Sequence, residues 1–169
     1  MDARPDDAAF LDIIRHTPLV SIDLIIRNAQ DQFLLGLRRN RPAQGYWFVP
    51  GGRIRKDETL AQAQARISRV ETGAELKGGQ LIGVFEHLYE DNTFEAPGVS
   101  THYVTMGVLL DWPANRAPSG DDQHQGFRWA PVAELLADEQ VHPNTRRFFQ
   151  AGTPAAFQGP AAQVFGGCS

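Results

Sequence analysis

A glycine turn followed by a segment with one well-placed acid is the part of the chain best suited to chemistry. Gly51-Gly52 ends a short apolar run, and the segment after it carries Arg66 and Glu71 before a further glycine, Gly73. Glycines let the backbone approach a ligand closely. Carboxylate and carbonyl oxygens are the ligands that hard cations such as Mg²⁺ prefer. Glu71 and a carbonyl of the turn are therefore a reasonable start for a Mg²⁺ site.

Basic residues cluster around this turn, although the chain as a whole is acidic. The formal net charge is −4, which argues against general nucleic-acid binding. No acid interrupts the stretch from Arg38 to Lys56, whose six basic residues are Arg38, Arg39, Arg41, Arg53, Arg55 and Lys56. Such a stretch is either a solvated surface or a specific anion site. Its position beside the glycine turn favours the anion site.

Local signals predict a helix that positions Glu71. Thr59 and Gln62 fit a capping box, which predicts a helix over Thr59–Thr72. Gly73 can supply the left-handed residue that ends it. Apolar residues at helical spacing predict one buried face, with Glu71 at its edge; they are Leu60, Ala63, Ile67 and Val70.

The other apolar runs predict strands before and after this helix. The strands are expected at Ser21–Arg27, Phe33–Arg38, Tyr46–Val49, Gln80–Leu88, Tyr103–Trp112 and Phe127–Ala130. Trp47 and Phe48 are interpreted as core residues of the third. Further helices are expected at Asp7–Arg15, with Phe10, Ile13 and Ile14 on one side, at Pro131–Ala137, with Pro at its first turn, and at Pro143–Gln150. This order predicts an α/β fold with a mixed sheet between helical layers.

One domain with a hydrophobic core fits a chain of 169 residues that is 42% hydrophobic. We expect the domain over residues 1–150 and a flexible tail over 151–169, which is rich in Ala, Gly, Gln and Pro. There is no apolar run of membrane-spanning length and no signal-peptide pattern at the N-terminus. A lone cysteine, Cys168, suits a reducing compartment, so the cytoplasm is expected.

The segment around Glu71 resembles the box of the Nudix hydrolase family, G-x5-E-x7-R-E-U-x-E-E-x-G-U, in which U is a bulky aliphatic residue. The residues that match in type and spacing are Gly52, Glu58, Arg66, Glu71 and Gly73. Ile67 and Val70 stand where the box has glutamates, and Ser68 and Ala74 where it has aliphatics. The resemblance implies a Nudix α/β/α sandwich and a hydrolase that uses Mg²⁺, with Mn²⁺ as a substitute.

Likeness to one Nudix subgroup, the GDP-mannose mannosyl hydrolases, extends over roughly residues 10 to 150. It is carried by Thr17–Asp23, Phe33–Arg38, Asn40–Arg53, Thr101–Val104, Asp122–His124 and Val141–His142. In that subgroup water attacks the anomeric carbon of the sugar with inversion, and the nucleoside diphosphate leaves. The resemblance therefore implies GDP-mannose or GDP-glucose as substrate, and a homodimer.

The resemblance also implies a role for each candidate residue. His124 is expected to be the general base, since histidine can take a proton from water near neutral pH. Glu71, Gln123 and a carbonyl of Gly51 are expected to bind the metal. Arg38 and Arg53, with Arg66, are expected to stabilise the leaving diphosphate. Substrate binding is expected from these arginines and from Asp23, His87 and Tyr103.

Some residues have two readings from the sequence. Arg66 suits catalysis and the orientation of helix carboxylates equally well. Glu58 suits metal binding or stabilisation of the helix N-terminus. His102 and His142 are interpreted as structural or peripheral, and Glu90-Asp91-Asn92 as an exposed turn rather than a second metal site.

Two other functions compete with hydrolysis at carbon. Nudix cleavage at phosphorus is disfavoured because Ile67 and Val70 replace carboxylates. The alternative to both is a non-catalytic module that binds a sugar nucleotide, because fold does not determine function. The combination of Glu71, Gln123 and His124 disfavours it, since a binder needs no base beside a metal ligand.

Overall fold

The computed structural model describes residues 5–114, 116–120, 124–150 and 157–158, with the backbone alone at positions 124, 125, 157 and 158. In chain order the elements are α1 (Asp7–His16), β1 (Leu19–Arg27), β2 (Phe33–Arg38), β3 (Trp47–Phe48), β4 (Gly51–Arg53), α2 (Leu60–Thr72), β5 (Gln80–Tyr89), β6 (Thr101–Asp111), β7 (His124–Ala130), α3 (Val132–Ala137), α4 (Pro143–Arg147) and β8 (Phe157–Gln158).

Within the described residues the strands form one mixed sheet. Its order is β3-β2-β1-β6-β5-β8, with β4 paired to β1 and β7 paired to β2. β1 and β6 run parallel, from Leu19 opposite Tyr103 to Arg27 opposite Asp111. The other strand pairs are antiparallel. The mixed sheet predicted from the sequence is confirmed.

Helices cover both faces of this sheet. Successive side chains of a strand point to opposite faces, and β1 places apolar side chains on each. On one face Ile22, Leu24 and Ile26 of β1 pack with Ala63 and Ile67 of α2. On the other face a second core contains Ile25 of β1, Leu135 of α3, and Phe148 and Phe149, which follow α4. The α/β/α layering is confirmed. A third cluster places α1 beside the start of β1 through Ile14 and Leu19.

The capping residues of α2 do what their spacing predicts. The Thr59 side chain accepts a hydrogen bond from the backbone N–H of Gln62, and the Gln62 side chain accepts one from the N–H of Thr59. Gly73 ends the helix with a left-handed φ of 74°. The helix is therefore fixed at both ends by local signals.

The predicted buried face of α2 is partly wrong. Leu60 is 56% exposed and Val70 is 41% exposed, whereas the buried residues are Ala63, Gln64, Ile67, Ser68, Glu71 and Thr72. Polar residues are buried because they bind the loop that follows: the Gln64 amide donates to the carbonyl of Leu76, and the Leu76 N–H donates to Ser68 Oγ. Burial on this helix follows hydrogen bonding as well as hydrophobicity.

Other expectations differ from the structure in smaller ways. Gly51 and Gly52, predicted as part of a turn, lie in β4, because β1 pairs with them. On the predicted apolar side of α1, Ile14 is buried but Ile13 is 38% exposed. Pro131 is the N-cap of α3 and lies just before its first turn. The last helix ends at Arg147.

The described part of the tail is β8, which pairs antiparallel with Gly83 and Val84 of β5. Residues 151–156 and 159–169 lie outside the described residues, so a flexible tail stays a prediction for them.

Among the helices that the structure describes, none is both long and apolar enough to cross a membrane.

Candidate active site

A cleft of about 290 Å³ gathers most of the residues that the sequence singles out. Its lining includes Asp23 of β1, Arg38 of β2, Gly51 and Arg53 of β4, Arg66 and Glu71 of α2, His87 of β5 and Tyr103 of β6. Gln123 lies outside the described residues, so its predicted metal contact is not seen. The fold thus brings together residues from six elements at one place.

The backbone of β7 brings His124 to the same region. His124 lies opposite Arg38 in the β2–β7 ladder, after an irregularity in register between Gly36 and Arg38. Arg38 lines the cleft, so the strand pairing places position 124 next to a cleft residue. The side chain of His124 is not among the described atoms.

Gly51 is fitted closely against Asp23. The two residues are opposite each other in the β1–β4 ladder. A Cβ at position 51 would overlap the Asp23 carboxylate and lie 2.9 Å from the carbonyl oxygen of Ile22. The N–H of Leu24 donates to the carbonyl of Pro50 at 2.8 Å. Because hydrogen bonds alternate along an antiparallel pair, the Gly51 carbonyl faces away from β1.

Arg66 and Glu58 form a hydrogen-bonded pair beside the cleft. Arg66 donates from Nε and Nη2 to the two carboxylate oxygens of Glu58, at 2.5 and 2.7 Å, and Nη2 also donates to the carbonyl of Arg53 at 2.9 Å. The hydrogen bonds from Arg66 lower the pKa of Glu58 to about 2, although burial opposes them. These contacts favour the orienting role for Arg66, and they occupy both oxygens of Glu58.

Glu71 is the carboxylate that α2 brings into the cleft. It is 5% exposed, and Asp23 is the other carboxylate among the described lining residues. No group of three or more metal-binding side chains occurs in the described part of the chain. Mg²⁺ is often held by one or two carboxylates, with substrate phosphates as further ligands. A buried carboxylate and the outward carbonyl of Gly51 are hard oxygen donors of that kind, so these residues fit the ion.

Arginines make the rest of the cleft positive. Arg38, Arg53, Arg55 and Arg66 line it. The guanidinium carbon of Arg38 is 5.5 Å from the Phe48 ring centroid, and that of Arg53 is 3.8 Å from the Phe10 ring centroid. The lining includes four arginines and two acids, which suits a ligand with more than one negative charge.

The remaining members of the basic stretch are placed elsewhere. Arg41 forms ion pairs with Asp91 and Glu95, at 3.2 and 3.0 Å. Lys56 is exposed beside Asp57. Neither Arg39, Arg41 nor Lys56 lines the cleft. The predicted anion site therefore uses part of the stretch only.

Asp23 and His87 form a buried polar pair in the cleft. Asp23 Oδ2 is 3.7 Å from His87 Nδ1, and neither Oδ2 nor His87 Nε2 has a hydrogen-bond partner among the described atoms. Burial raises the pKa of Asp23 to about 7, with Arg38 opposing. Burial, followed by the charge of His142, lowers the pKa of His87 to about 3. His87 is therefore neutral at physiological pH, and both groups can hydrogen bond to a ligand.

Comparison with known proteins identifies the family. The NUDIX domain model matches residues 17–152. The chain belongs to the Nudix family. The low-salt glycan biosynthesis protein Agl8 of Haloferax volcanii is 44% identical over 149 residues, which are 87% of this chain and 89% of that protein. An ADP-ribose pyrophosphatase of Methanocaldococcus jannaschii is 30% identical over 105 residues, 62% of this chain and 57% of that protein.

Solved structures show the same Nudix fold. A MutT NUDIX hydrolase from Burkholderia pseudomallei superposes with a TM-score of 0.64 at 24% identity, over 78% of this chain and 95% of that one. A MutT protein from Methanosarcina mazei Go1 gives 0.61 at 24% identity, over 78% and 90%. The protein is thus a Nudix hydrolase, an enzyme of a family that acts on small molecules and generally uses divalent metal ions such as Mg²⁺.

Tyr89 is a residue of the Nudix cleft that the sequence did not single out. Tyr89 lines the cleft, and burial raises the pKa of its hydroxyl, with the Asn144 side chain as a hydrogen-bond partner. Side chains two apart on a strand share a face. The position of Tyr89 two residues after His87 was therefore the signal that could have found it.

Two histidines and one turn lie outside the Nudix cleft. His102 is 3.6 Å from Glu86, and His142 caps α4 by accepting from the N–H of Asn144, which fits their structural interpretation. The turn at 90–92 is only partly exposed: Asn92 is 1% exposed. Its amide donates to carbonyls of the same loop, and Asp91 pairs with Arg41.

In metal-free buffer, Asp23→Asn is expected to raise the melting temperature of this Nudix hydrolase at about pH 8 by roughly 5 °C. The folded-state pKa of Asp23, about 7, lies above the ordinary aspartate value of 3.8, which applies to the unfolded chain. A raised folded-state pKa gives stability that is present at low pH and is lost as pH rises through that value. Asparagine does not ionise, so the variant escapes this loss.

Thermal melts of wild type and variant across pH check this expectation. The difference in melting temperature should be close to zero at about pH 4, where the folded-state carboxyl is protonated in any case. Asp111→Asn, at a side chain that is 78% exposed, is the matched control and should show no such trend. An Asp23→Asn gain that is equal at both ends of the range would disprove the raised pKa.

Proposed function

We propose that this Nudix hydrolase cleaves a nucleoside diphosphate sugar, GDP-mannose or GDP-glucose, by attack of water at the anomeric carbon. The products are GDP and the free sugar. The observation that carries the proposal is that α2 brings a single carboxylate, Glu71, into the cleft. Ile67 and Val70 line the cleft at the two positions where the family box has further glutamates.

The small number of acids favours attack at carbon. Most Nudix enzymes gather several box glutamates on metal and attack phosphorus. Here Glu58 is bound to Arg66, and Glu71 is the box glutamate proposed as the metal ligand. The catalytic base must then come from outside the box. Its proposed source is His124, whose backbone lies opposite Arg38.

The leaving diphosphate is the group that the positive side of the cleft suits. Arg38 and Arg53 are proposed to donate charge-assisted hydrogen bonds to its oxygens. Tyr103 is proposed to add a neutral donor, because burial raises the pKa of its hydroxyl and keeps it protonated. Glu71, Gln123 and the Gly51 carbonyl would hold Mg²⁺, which when bound neutralises charge on the diphosphate.

The sugar end of the substrate is proposed to meet Asp23 and His87. Their unpartnered Oδ2 and Nε2 atoms are buried, and buried polar atoms are stabilised by hydrogen bonds. Sugar hydroxyls both donate and accept, so they suit this pair. Agl8, which is 44% identical, is named for glycan biosynthesis, and that name also supports a sugar-containing substrate.

A cytoplasmic homodimer is the proposed working form, and sedimentation of the purified protein tests its stoichiometry.

Isotope labelling tests where the water attacks. Purified protein is incubated with GDP-mannose and Mg²⁺ in ¹⁸O-labelled water, and the masses of the products are read. We expect the label on free mannose, with GDP unlabelled. The same experiment with GDP-glucose compares the two sugars.

Cleavage at phosphorus is the second candidate, since the Methanocaldococcus jannaschii relative is named a pyrophosphatase. Label on GMP or mannose 1-phosphate would establish that candidate and refute attack at carbon. Absence of turnover with both sugar nucleotides would refute the proposed activity and favour a binding module.

A further inference from the structure

The N-terminal helix contacts one of the arginines of the cleft. The guanidinium carbon of Arg53 is 3.8 Å from the centroid of the Phe10 ring, which is well inside the range of about 6 Å in which a cation is attracted to an aromatic face. Arg53 comes from β4 and Phe10 from α1. An element outside the Nudix box therefore reaches a charged group of the cleft.

The Phe10 ring is held from its other neighbours as well. Phe94 meets it edge-on, with centroids 5.8 Å apart and planes at 77°. The loop that carries Phe94 is fixed by Asn92, whose Oδ1 accepts from the N–H of Phe94 and whose amide donates to the carbonyl of Val99. The ring is thus a fixed surface, to which a long and flexible arginine side chain can be held.

The contact also lies where two cavities meet. Arg38, Arg53 and Tyr103 line both the main cleft and an adjoining cavity of about 150 Å³, which Phe10 lines as well. A shift of the Arg53 guanidinium would therefore alter the charge presented to both spaces. Charged donors stabilise a transition state best when they are held in place before the reaction.

We propose that Phe10 is a positioning residue for Arg53: its ring holds the guanidinium in the orientation that meets the leaving diphosphate. The N-terminal helix is then part of the catalytic apparatus and not only a cover for the end of the sheet. This inference rests on the proposed function, in which Arg53 stabilises the leaving group.

A double-mutant cycle tests the inference, using wild type, Phe10→Leu, Arg53→Ala and the double variant. Phe10→Leu is expected to lower kcat roughly 5- to 20-fold, which lies within the range of a cation–π contact, with KM changed by less than about twofold. Phe10→Tyr and Phe10→Trp should restore most of the rate, because their rings also attract a cation. In the Arg53→Ala background, Phe10→Leu should have no further effect on kcat, since the two residues act as a unit.

Leu11→Ala is the matched control for loss of packing. Leu11 lies next to Phe10 on α1 and packs in the same cluster with Ile14 and Leu19. Its truncation should lower the melting temperature but leave kcat within about twofold of wild type. An equal loss of kcat in Leu11→Ala and Phe10→Leu would overturn the inference, because general loosening of the helix would then explain both.

Two further outcomes separate the inference from the proposed function. If Phe10→Leu lowers kcat as strongly without Arg53 as with it, Phe10 acts on the ligand or the fold directly, and the inference fails while the proposed function stands. If wild type turns over neither sugar nucleotide, the proposed function fails. The cycle is then run on calorimetric binding of GDP with Mg²⁺, and absence of coupling between Phe10 and Arg53 there would overturn the inference too.

Discussion

Glu71→Gln is expected to weaken activation by Mg²⁺ by about 100-fold, the upper range for loss of a group that supports a metal site. Glutamine keeps the shape of the side chain but removes the charge that a hard cation prefers. Glu71 is buried in the cleft, so bulk water is a poor substitute for the lost carboxylate. Initial rates measured against Mg²⁺ concentration, and again with Mn²⁺, give the activation constant directly.

Glu75→Gln is the matched control for this change. Glu75 follows the same helix but is exposed, and it pairs with Arg69 and Lys77 on the surface. Its replacement should leave the activation constant unaltered. If Glu71→Gln responds to Mg²⁺ like wild type, Glu71 is not a metal ligand, and oxygen atoms of other residues must bind the metal.

His124→Gln is expected to lower kcat by about 10²- to 10⁴-fold, the usual contribution of a general base. KM should change little, because the proposed role of His124 is to take a proton from water and not to hold the sugar nucleotide. Strand β7 supports this role by placing position 124 opposite Arg38. The measurements are kcat, KM and the pH profile of kcat/KM.

The pH profile distinguishes a lost base from a distorted site. In wild type, kcat/KM should fall towards acid pH as the histidine becomes protonated, and this limb should be absent from the residual activity of His124→Gln. His102→Gln is the control, since His102 lies on β6 near Glu86 and outside the cleft lining. Near-normal turnover in His124→Gln would show that His124 is not the general base. It would favour a base on the Nudix helix α2 and attack at phosphorus.

Short-range signals predicted the elements that position the site. Thr59 and Gln62 determine the start of α2, and Gly73 its end, through contacts within one or two turns. The mixed sheet was predicted from the order of the apolar runs along the chain. Strands and helices could be told apart because their apolar residues recur with different periods. Such features depend on neighbours in the chain, so one sequence is enough to predict them.

Long-range partners explain what the sequence did not predict. Gly51 and Gly52 have the sequence pattern of a turn, and only their pairing with β1 makes them part of a strand. Asn92 looks like part of an exposed turn, but its loop folds back to satisfy the whole amide. The contact between Phe10 and Arg53 joins two elements that no spacing rule relates. The roles of the cleft residues came from family resemblance, and the structure adds which of them share a cleft.

The packing of Ile67 makes the two departures from the Nudix box unequal in evolutionary terms. Ile67 is 1% exposed, and a Cβ added at Gly52 would lie 3.3 Å from its Cγ1. A glutamate at position 67 would have to place a charged and strongly hydrated side chain in this tight space. Val70 is 41% exposed and lines the cleft, so a glutamate there would be hydrated. A lineage could therefore regain the acid at position 70 by one substitution, whereas the acid at position 67 would also need a change that makes room beside Gly52.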